Sequence, residues 1–437
     1  MDWIYHLSIA VLLMLALFLA GVPVFVTFLV INIAGVFLLI GTSGFGLFAN
    51  SIYQTATQTS LAAVPLFIVM GEILFRSGAI DVLIDAVDRI LGRIRGRDYC
   101  LITVLSTVFG ALCGSPVAVA ALLGRTIMPS MNGRGFNTRL TSGAILGGAT
   151  LAAIIPPSLG VIILRSLVDV SIAGLLIAGI LPGILLATLM VAYTWLRILF
   201  NPGLEPQTDS INDTQRMAKD RVGAIIRILP FSLVIFFVMG LIMLGVATPS
   251  ESAATGVVGA LIVAAIYRKL SVKMFFESLL SAVSITAVLM VILLSSKLFG
   301  QLLAFIGASA GLMQAVSALD LSGGWMFLVL MAVPFFLCMF IDLFAIMMVA
   351  IPIYLPLLKV YGYDPVWFWM LFLINIVLGS MTPPFGYTLF SLKGAAPDVS
   401  LNDIYIGAWP MMIVFLIGMI LMFVFPSIVT VIPGLFI

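Results

Sequence analysis

Residues 145–158 read Ile-Leu-Gly-Gly-Ala-Thr-Leu-Ala-Ala-Ile-Ile-Pro-Pro-Ser, and residues 375–386 read Asn-Ile-Val-Leu-Gly-Ser-Met-Thr-Pro-Pro-Phe-Gly. Two double prolines, Pro156-Pro157 and Pro383-Pro384, therefore interrupt long apolar runs 227 positions apart (383 − 156). The same offset pairs Pro129 with Pro356, Gly135 with Gly362 and Ala118 with Ala345. An offset of 229 pairs Gly71 with Gly300, Gly78 with Gly307 and Ala86-Val87 with Ala315-Val316. The chain is a duplication. Apolar segments broken by Gly or Pro at matching places in two halves are the sequence mark of a secondary transporter's binding site.

Composition fixes the solvent. Of 437 residues, 63% are hydrophobic and 9% charged, with a mean hydropathy of +1.28. So few charges cannot cover a water-soluble protein of this size, so lipid is the solvent and the chain is an integral membrane protein. Long apolar runs without period-2 alternation predict helices rather than a barrel. A net charge of +2 gives no footing for nucleic acid. Cys100, Cys113 and Cys338 lie in or beside apolar runs without metal-type spacing and read as small hydrophobes. The N-terminal segment lacks a basic n-region and its apolar run exceeds a signal peptide's, so a retained first helix is expected.

A helix crosses the hydrocarbon core with about 20 residues. Spans are expected near 3–20, 23–41, 61–78, 139–164 and 172–197, and again near 228–247, 251–268, 277–299, 366–393 and 405–432. Gly21-Val22-Pro23 between the first two reads as a turn or a kink. Residues 80–97 read as an amphipathic interfacial helix. Residues 201–227 form a polar linker. The apolar stretches 99–131 and 325–358 are interrupted, the first by Gly114-Ser115-Pro116 and the second by Asp342, which the 227 offset places opposite Ser115. Arms of about 15 residues fall short of a full crossing, and basic residues flank the first stretch on both sides (Arg97; Arg125, Arg134, Arg139), so each stretch reads as a re-entrant hairpin. Each half then holds five spans and one hairpin, and an odd count inverts the second half against the first. Arg89–Arg97, Arg197–Arg227, Arg268-Lys269-Lys273 and Lys393 fall on one, cytoplasmic, side, with Arg165 and Lys359 as exceptions. Both termini are then outside.

The fold class that follows is an all-α polytopic membrane protein, an inverted repeat with two re-entrant hairpins and two broken helices. The domains are 1–200 (scaffold 1–98, transport elements 99–165), the linker 201–227, and 228–437 (scaffold 228–320, transport elements 325–393). A broken helix survives in a bilayer only where protein or a cavity satisfies its backbone. A Pro-Pro step removes two donors and expels the preceding residue from the α region, so carbonyls upstream of Pro156 and Pro383 lose partners and can face a hard cation such as Na⁺. Ser115, Thr150 and Ser158 offer hydroxyls at the first break; Asp342, Ser380 and Thr382 offer oxygens at the second. Half-helices that start after each break point their N-terminal dipoles inward, favouring an anionic substrate. The competing reading is that each Pro-Pro merely kinks a packed helix.

Single residues also carry two readings. Ser115 is either back-bonded or an ion ligand. Asp342, set before Leu-Phe-Ala-Ile-Met-Met, is either a functional intramembrane carboxylate or a helix cap. Glu72 is expected to pair with a neighbouring helix, and Lys297 to snorkel from a span end. Thr248-Pro249-Ser250-Glu251 reads as a capping box. Arg165 is an interfacial anchor or a partner for a substrate anion, and His6 is interfacial. With no phosphate loop, no H-E-x-x-H and no G-x-S-x-G, neither ATP-driven transport nor hydrolase chemistry has its parts, and the chain is not expected to be an enzyme.

Phe109–Ser115, Ile155-Pro156-Pro157-Ser158, Ala178–Gly183, Thr248–Ala254 and Met381–Gly386, in this order, resemble the large membrane (M) subunit of tripartite ATP-independent periplasmic (TRAP) transporters. The resemblance covers essentially the whole chain. It implies Na⁺-coupled uptake of a small organic anion, a carboxylate or sulfonate, by an elevator motion in which hairpins and broken helices move against a scaffold. The implied setting is the bacterial or archaeal inner membrane. Implied partners are a small four-helix membrane subunit and a soluble periplasmic binding protein. It places two or more Na⁺ ions, one among Gly114, Ser115, Gly147, Thr150 and Ser158 and another among Asp342, Gly379, Ser380 and Thr382. Substrate would lie between the hairpin tips near Ser115, Pro116, Ser158, Arg165, Asp342 and Thr382. The chain departs from the family pattern at Pro116-Val117, where a more Gly/Ser-rich tip is expected. The alternatives are a stand-alone Na⁺/dicarboxylate-type elevator carrier, or an ion channel.

Overall fold

The structure is a computed structural model that describes residues 2–77, 82, 96–168, 170–206, 221–318 and 320–436. All regular structure among these residues is helical. The first half runs α1 (Asp2–Leu19), α2 (Val24–Leu39), α3 (Phe45–Ala56), α4 (Ala63–Arg76), α5 (Arg97–Cys113), α6 (Pro116–Gly133), α7 (Thr138–Thr150), α8 (Leu159–Leu167), α9 (Ile172–Ala178) and α10 (Ile180–Phe200). The second runs α11 (Arg221–Met243), α12 (Pro249–Ile266), α13 (Val272–Phe305), α14 (Ala308–Ala318), α15 (Gly323–Cys338), α16 (Leu343–Tyr361), α17 (Pro365–Ser380), α18 (Tyr387–Ala395), α19 (Leu401–Val424) and α20 (Ser427–Phe436). Adding 227 to the first residues of α5, α6, α7 and α8 gives 324, 343, 365 and 386, each within one residue of the starts of α15, α16, α17 and α18. The duplication read from the prolines is thus a duplication of helix–break–helix units.

Among the described residues, five helices are each long and apolar enough to cross a membrane: Ile172–Phe200 taken as one, Pro249–Ile266, Val272–Phe305, Leu343–Tyr361 and Leu401–Val424. With the shorter apolar helices beside them, the chain is a multi-pass membrane protein.

Local chemistry explains where helices start and stop. At the end of α1, Gly21 takes φ 79° and the Val22 N–H donates to Leu17 O at 3.0 Å, a Schellman closure that ends the helix. Phe18 and Phe28 then meet across the turn, 6.2 Å between ring centroids. The Gly21–Pro23 break is therefore a turn and not a kink. Thr248 starts α12 as the sequence indicates: Glu251 N donates to its hydroxyl (3.3 Å) and Thr248 N donates to the Glu251 carboxylate (2.8 Å).

Both interrupted stretches are hairpins whose open ends are tied together. At the first, Asp98 in the first turn of α5 pairs with Arg134 just after α6, at 3.0 Å. At the second, the Tyr354 hydroxyl of α16 donates to Leu330 O of α15 at 2.9 Å, and Tyr363 donates to Gly323 O. Gly135 and Gly362, a repeat pair, take φ 80° and 62° just beyond α6 and α16, a conformation that side chains disfavour.

Among the described residues, the helices that lead into the double prolines are deeply enclosed. Every residue of α7 from Leu140 to Thr150 and of α17 from Trp367 to Ser380 is buried. Small residues permit this closeness: a Cβ on Gly143 would lie 2.4 Å from Gly407 O, and one on Gly407 2.1 Å from Arg139 O. The first break, Leu151 to Ser158, is enclosed by protein except at half-buried Ile155, whereas Pro384 and Phe385 of the second are exposed; irregular backbone in a bilayer persists where protein or a cavity surrounds it.

Several boundaries differ from expectation. The span expected near 61–78 is preceded by a separate helix, α3, whereas its counterpart α13 is one rod of 34 residues. Polar Asn50, Ser51, Gln54 and Thr55 hid α3 from an apolar scan. The arm α16 has 19 residues, enough to cross by length, against the expected 15. Pro352 and Pro356 do not stop it. The last span ends at Val424 and resumes as α20, because Pro426 cannot supply a helical donor. The linker's last residues, from Arg221, are already helix, while its central part and nearly all of the 80–97 helix fall outside the described residues. Glu72 pairs within its own helix with Arg76 (3.1 Å), and Arg76 reaches Glu277 of α13 (2.7 Å).

Candidate functional site

Each hairpin tip lies on the break that follows it in the chain. At the first, Gly114 ends α5 with φ 63°, and a Cβ there would sit 3.1 Å from Leu159 N, at the start of the half-helix α8. One turn earlier, a Cβ on Gly110 would lie 2.7 Å from Ala152 Cα, on the 3-10 turn Leu151–Ala153 that ends α7. At the second, Phe340 of the tip packs on Phe385 of the break with centroids 5.2 Å apart. A Cβ on Gly379 would lie 2.7 Å from both Cys338 Cβ and Phe335 O of α15. Two distant pieces of sequence thus meet twice, and both double prolines contain a cis peptide bond.

Ser115 and Asp342, paired by the 227 offset, play the same local part. Each is the N-cap of a hairpin's second arm. Ser115 accepts from Ala118 N at 3.4 Å and Asp342 from Phe344 N at 2.9 Å. Asp342 is exposed at its tip, so its carboxylate both caps α16 and faces outward. Pro116 is the first residue of α6 and is buried there, a helix-starting role without a donor.

The hydroxyls are oriented in one sense. Thr150 donates to Gly147 O (2.6 Å), Ser158 to Ala153 O (2.5 Å), Ser380 to Val377 O (2.6 Å) and Thr382 to Leu378 O (2.7 Å). A hydroxyl whose proton is committed to a carbonyl keeps its lone pairs for an acceptor-seeking partner, such as a cation. Ser158 uses one of them on Val161 N at 3.2 Å, capping α8. Not every carbonyl at the breaks is open: Pro384 O accepts from Tyr405 at 2.5 Å, and Thr382 O accepts from Gly386 N at 3.2 Å. The alpha carbon of Gly147 faces Met190, 2.5 Å from an added Cβ, and away from the hairpin. Its neighbour Gly148 meets Ser106 of α5. Sequence reasoning missed Thr388, whose hydroxyl lies 3.2 Å from that of Ser380, and Tyr405; both follow the break within one or two helices.

A second polar cluster lies inside the membrane-spanning bundle. Lys297 is eight residues short of the end of α13 and does not sit at a span end. Its ammonium donates to Gln58 Oε1 at 2.9 Å, and α13 packs against α8, which carries half-buried Arg165. Ser51 donates to Gln301 one turn further on, at 2.9 Å. The snorkelling reading of Lys297 fails because the interruption between α3 and α4 brings Gln58 to meet it. Arg165 and Lys297 thus lie on two helices in contact, which sequence spacing could not show.

Paired hairpins laid on paired helix breaks, within a multi-pass helical bundle, define a membrane transporter. The chain belongs to the family described as "Tripartite ATP-independent periplasmic transporter, DctM component", whose pattern matches residues 11–428. It is therefore a transporter permease subunit and not an enzyme. It is 28% identical over 426 residues, 96% of this chain and 97% of the other, to the ectoine TRAP transporter large permease protein TeaC of Halomonas elongata. It is 27% identical, covering 88% of this chain and 89% of the other, to the C4-dicarboxylate TRAP transporter large permease protein DctM of Pseudomonas aeruginosa. Among solved structures, the YdaH transporter of Alcanivorax borkumensis shares the fold, with a TM-score of 0.60, 14% identity and 89% of both chains covered.

Proposed function

We propose that this chain carries a small organic anion inward across the bacterial inner membrane, driven by Na⁺, as the large permease of a TRAP system. The observation that carries the reading is the juxtaposition of each hairpin tip with its helix break, Gly114 against Leu159 and Phe340 against Phe385. In this reading one Na⁺ takes oxygens from Gly114–Ser115 and the Thr150–Ser158 break, and another from Asp342 and the Gly379–Thr382 break, with Thr388 beside it. Hydroxyl lone pairs and carbonyls suit a hard cation. The hairpins, α7, α8, α17 and α18 move as an elevator within 99–165 and 325–393, against scaffold helices in 1–98 and 228–320, with the second half inverted. Inward Na⁺ movement supplies about 2.3 kcal/mol per charge per 100 mV. Substrate arrives from a periplasmic binding protein, and a small membrane subunit completes the scaffold.

The anion's charge is met by Arg165 and Lys297, two cations on the contacting helices α8 and α13. Lys297→Met is expected to raise the KM for uptake about tenfold to a hundredfold, the worth of one charged hydrogen bond, while leaving folding intact. An unchanged KM removes Lys297 from the site. The reading as a whole is tested in proteoliposomes. Uptake is expected only when the small subunit, the binding protein and an inward Na⁺ gradient are all present. Saturation-free conductance by the chain alone would make it a channel, and Na⁺-driven uptake without partners would make it a stand-alone carrier.

A further inference from the structure

Between α5 and α10 runs a groove of about 320 Å³ lined by Thr103, Val104, Thr107, Val108, Ala187, Thr188 and Val191. Its walls are apolar in effect, because the threonine hydroxyls are turned onto their own helices: Thr103 to Tyr99 O (3.3 Å), Thr107 to Thr103 O (2.8 Å) and Thr188 to Ile184 O (2.7 Å). What remains at the surface is methyl groups, in a size range typical of small-molecule sites. The two helices run antiparallel. Gly96, before α5, packs on Ile198 near the end of α10, and the Tyr99 hydroxyl donates to Leu204 O at 2.8 Å.

That geometry puts Arg97 and Arg197 at one end of the groove. Each lies six residues beyond the lining, about 9 Å along its helix. Exposed Trp195 stands on α10 at the same end, as interfacial aromatics do. Among the described residues there, Asp98 pairs with Arg134 (3.0 Å) and Glu205 accepts from Gly96 N (3.1 Å). This is also the end that the basic loops put on the cytoplasmic side.

The duplication supplies an internal control. The residues 227 positions on from the lining are Leu330, Met331, Pro334, Phe335, Val414, Phe415 and Gly418, mostly bulkier. The positions matching Arg97 and Arg197 are Gly324 and Val424. At the matching end of the second repeat, Phe327 and Phe423 pack with centroids 4.9 Å apart. The small lining residues and the basic rim therefore occur together in the first repeat, and bulkier residues with Gly324 and Val424 stand at the matching positions of the second.

We propose that this groove is a binding site for an anionic phospholipid, with an acyl chain along α5 and α10 and the phosphate at Arg97 and Arg197. Basic pockets between spanning helices on the cytoplasmic side favour such headgroups. The lipid would brace the first arm of the first hairpin against α10. Native mass spectrometry tests it, on the full chain with its small membrane subunit, extracted from membranes of phosphatidylethanolamine, phosphatidylglycerol and cardiolipin. One anionic phospholipid is expected to stay bound when bulk lipid is stripped. Thr188→Phe, which installs the second repeat's residue, is expected to abolish that retention. Arg97→Gln and Arg197→Gln leave the groove open and are each expected to weaken retention about fivefold and to erase the preference for anionic over zwitterionic lipid. Retention in the arginine double variant equal to wild type, with the same lipid composition, overturns the proposal even if Thr188→Phe does not fold. So does displacement of the lipid by the small subunit.

Discussion

Asp342→Asn is expected to lower Na⁺-driven uptake by about a hundredfold without loss of folded protein. Asparagine caps a helix about as well as aspartate, so the bond from Phe344 N, 2.9 Å in the native chain, persists. What is lost is the charge at the hairpin tip, where a cation would otherwise be held by a carboxylate and neutral oxygens. Asp342→Ala removes cap and charge together and costs about 1 kcal/mol of helix stability besides. The pair of variants separates the roles: uptake with wild-type Na⁺ dependence in Asp342→Asn, together with a stability loss in Asp342→Ala, would leave Asp342 as a cap alone. The measurement is uptake against Na⁺ concentration, alongside thermal unfolding of the purified protein.

Gly386→Ala is expected to be comparably damaging for a steric reason. A Cβ at Gly386 would lie 2.5 Å from Ser380 O and 3.0 Å from Thr382 N. Both neighbours are backbone of the second break, and the Gly386 N–H is already bound to Thr382 O at 3.2 Å. No side chain can swing aside, so the break itself must shift, at about 1–3 kcal/mol for overpacking. Uptake should fall at least about tenfold, because the displaced atoms are those proposed to face Na⁺. Gly394, in the helix that follows, has nothing within 4 Å of its Cβ direction, and Gly394→Ala should be neutral or slightly stabilising. Equal effects from the two substitutions, in thermal unfolding and in uptake, would show that the break tolerates movement.

The irregular backbone at the two breaks was legible in the sequence. Pro156-Pro157 and Pro383-Pro384 cannot continue a helix, and their fixed spacing carried over to the starts of α5–α8 and α15–α18. The hairpin tips were legible because Ser115 and Asp342 are capping residues set in apolar runs. The interruption between α3 and α4 was not, since its residues are polar enough to resemble a loop. With it was missed the meeting of Lys297 with Gln58, which joins two segments far apart in the chain. Thr388 and Tyr405 were missed because their partners, Ser380 and Pro384, become neighbours only once the second break folds back. The reach of α16 was underestimated because the interrupted stretch was ended at 358, while the helix runs on to Tyr361 through Pro352 and Pro356.

The central claim is that the two breaks and the two hairpin tips hold Na⁺. It is tested most directly by a density map of the assembled transporter in Na⁺, compared with one in a large organic cation. The account predicts one ion beside Ser115 and the Thr150–Ser158 break and another beside Asp342 and the Gly379–Thr382 break, each with oxygen ligands only and each absent without Na⁺. Identical maps in the two conditions, with both pockets closed by protein contacts alone, would contradict it.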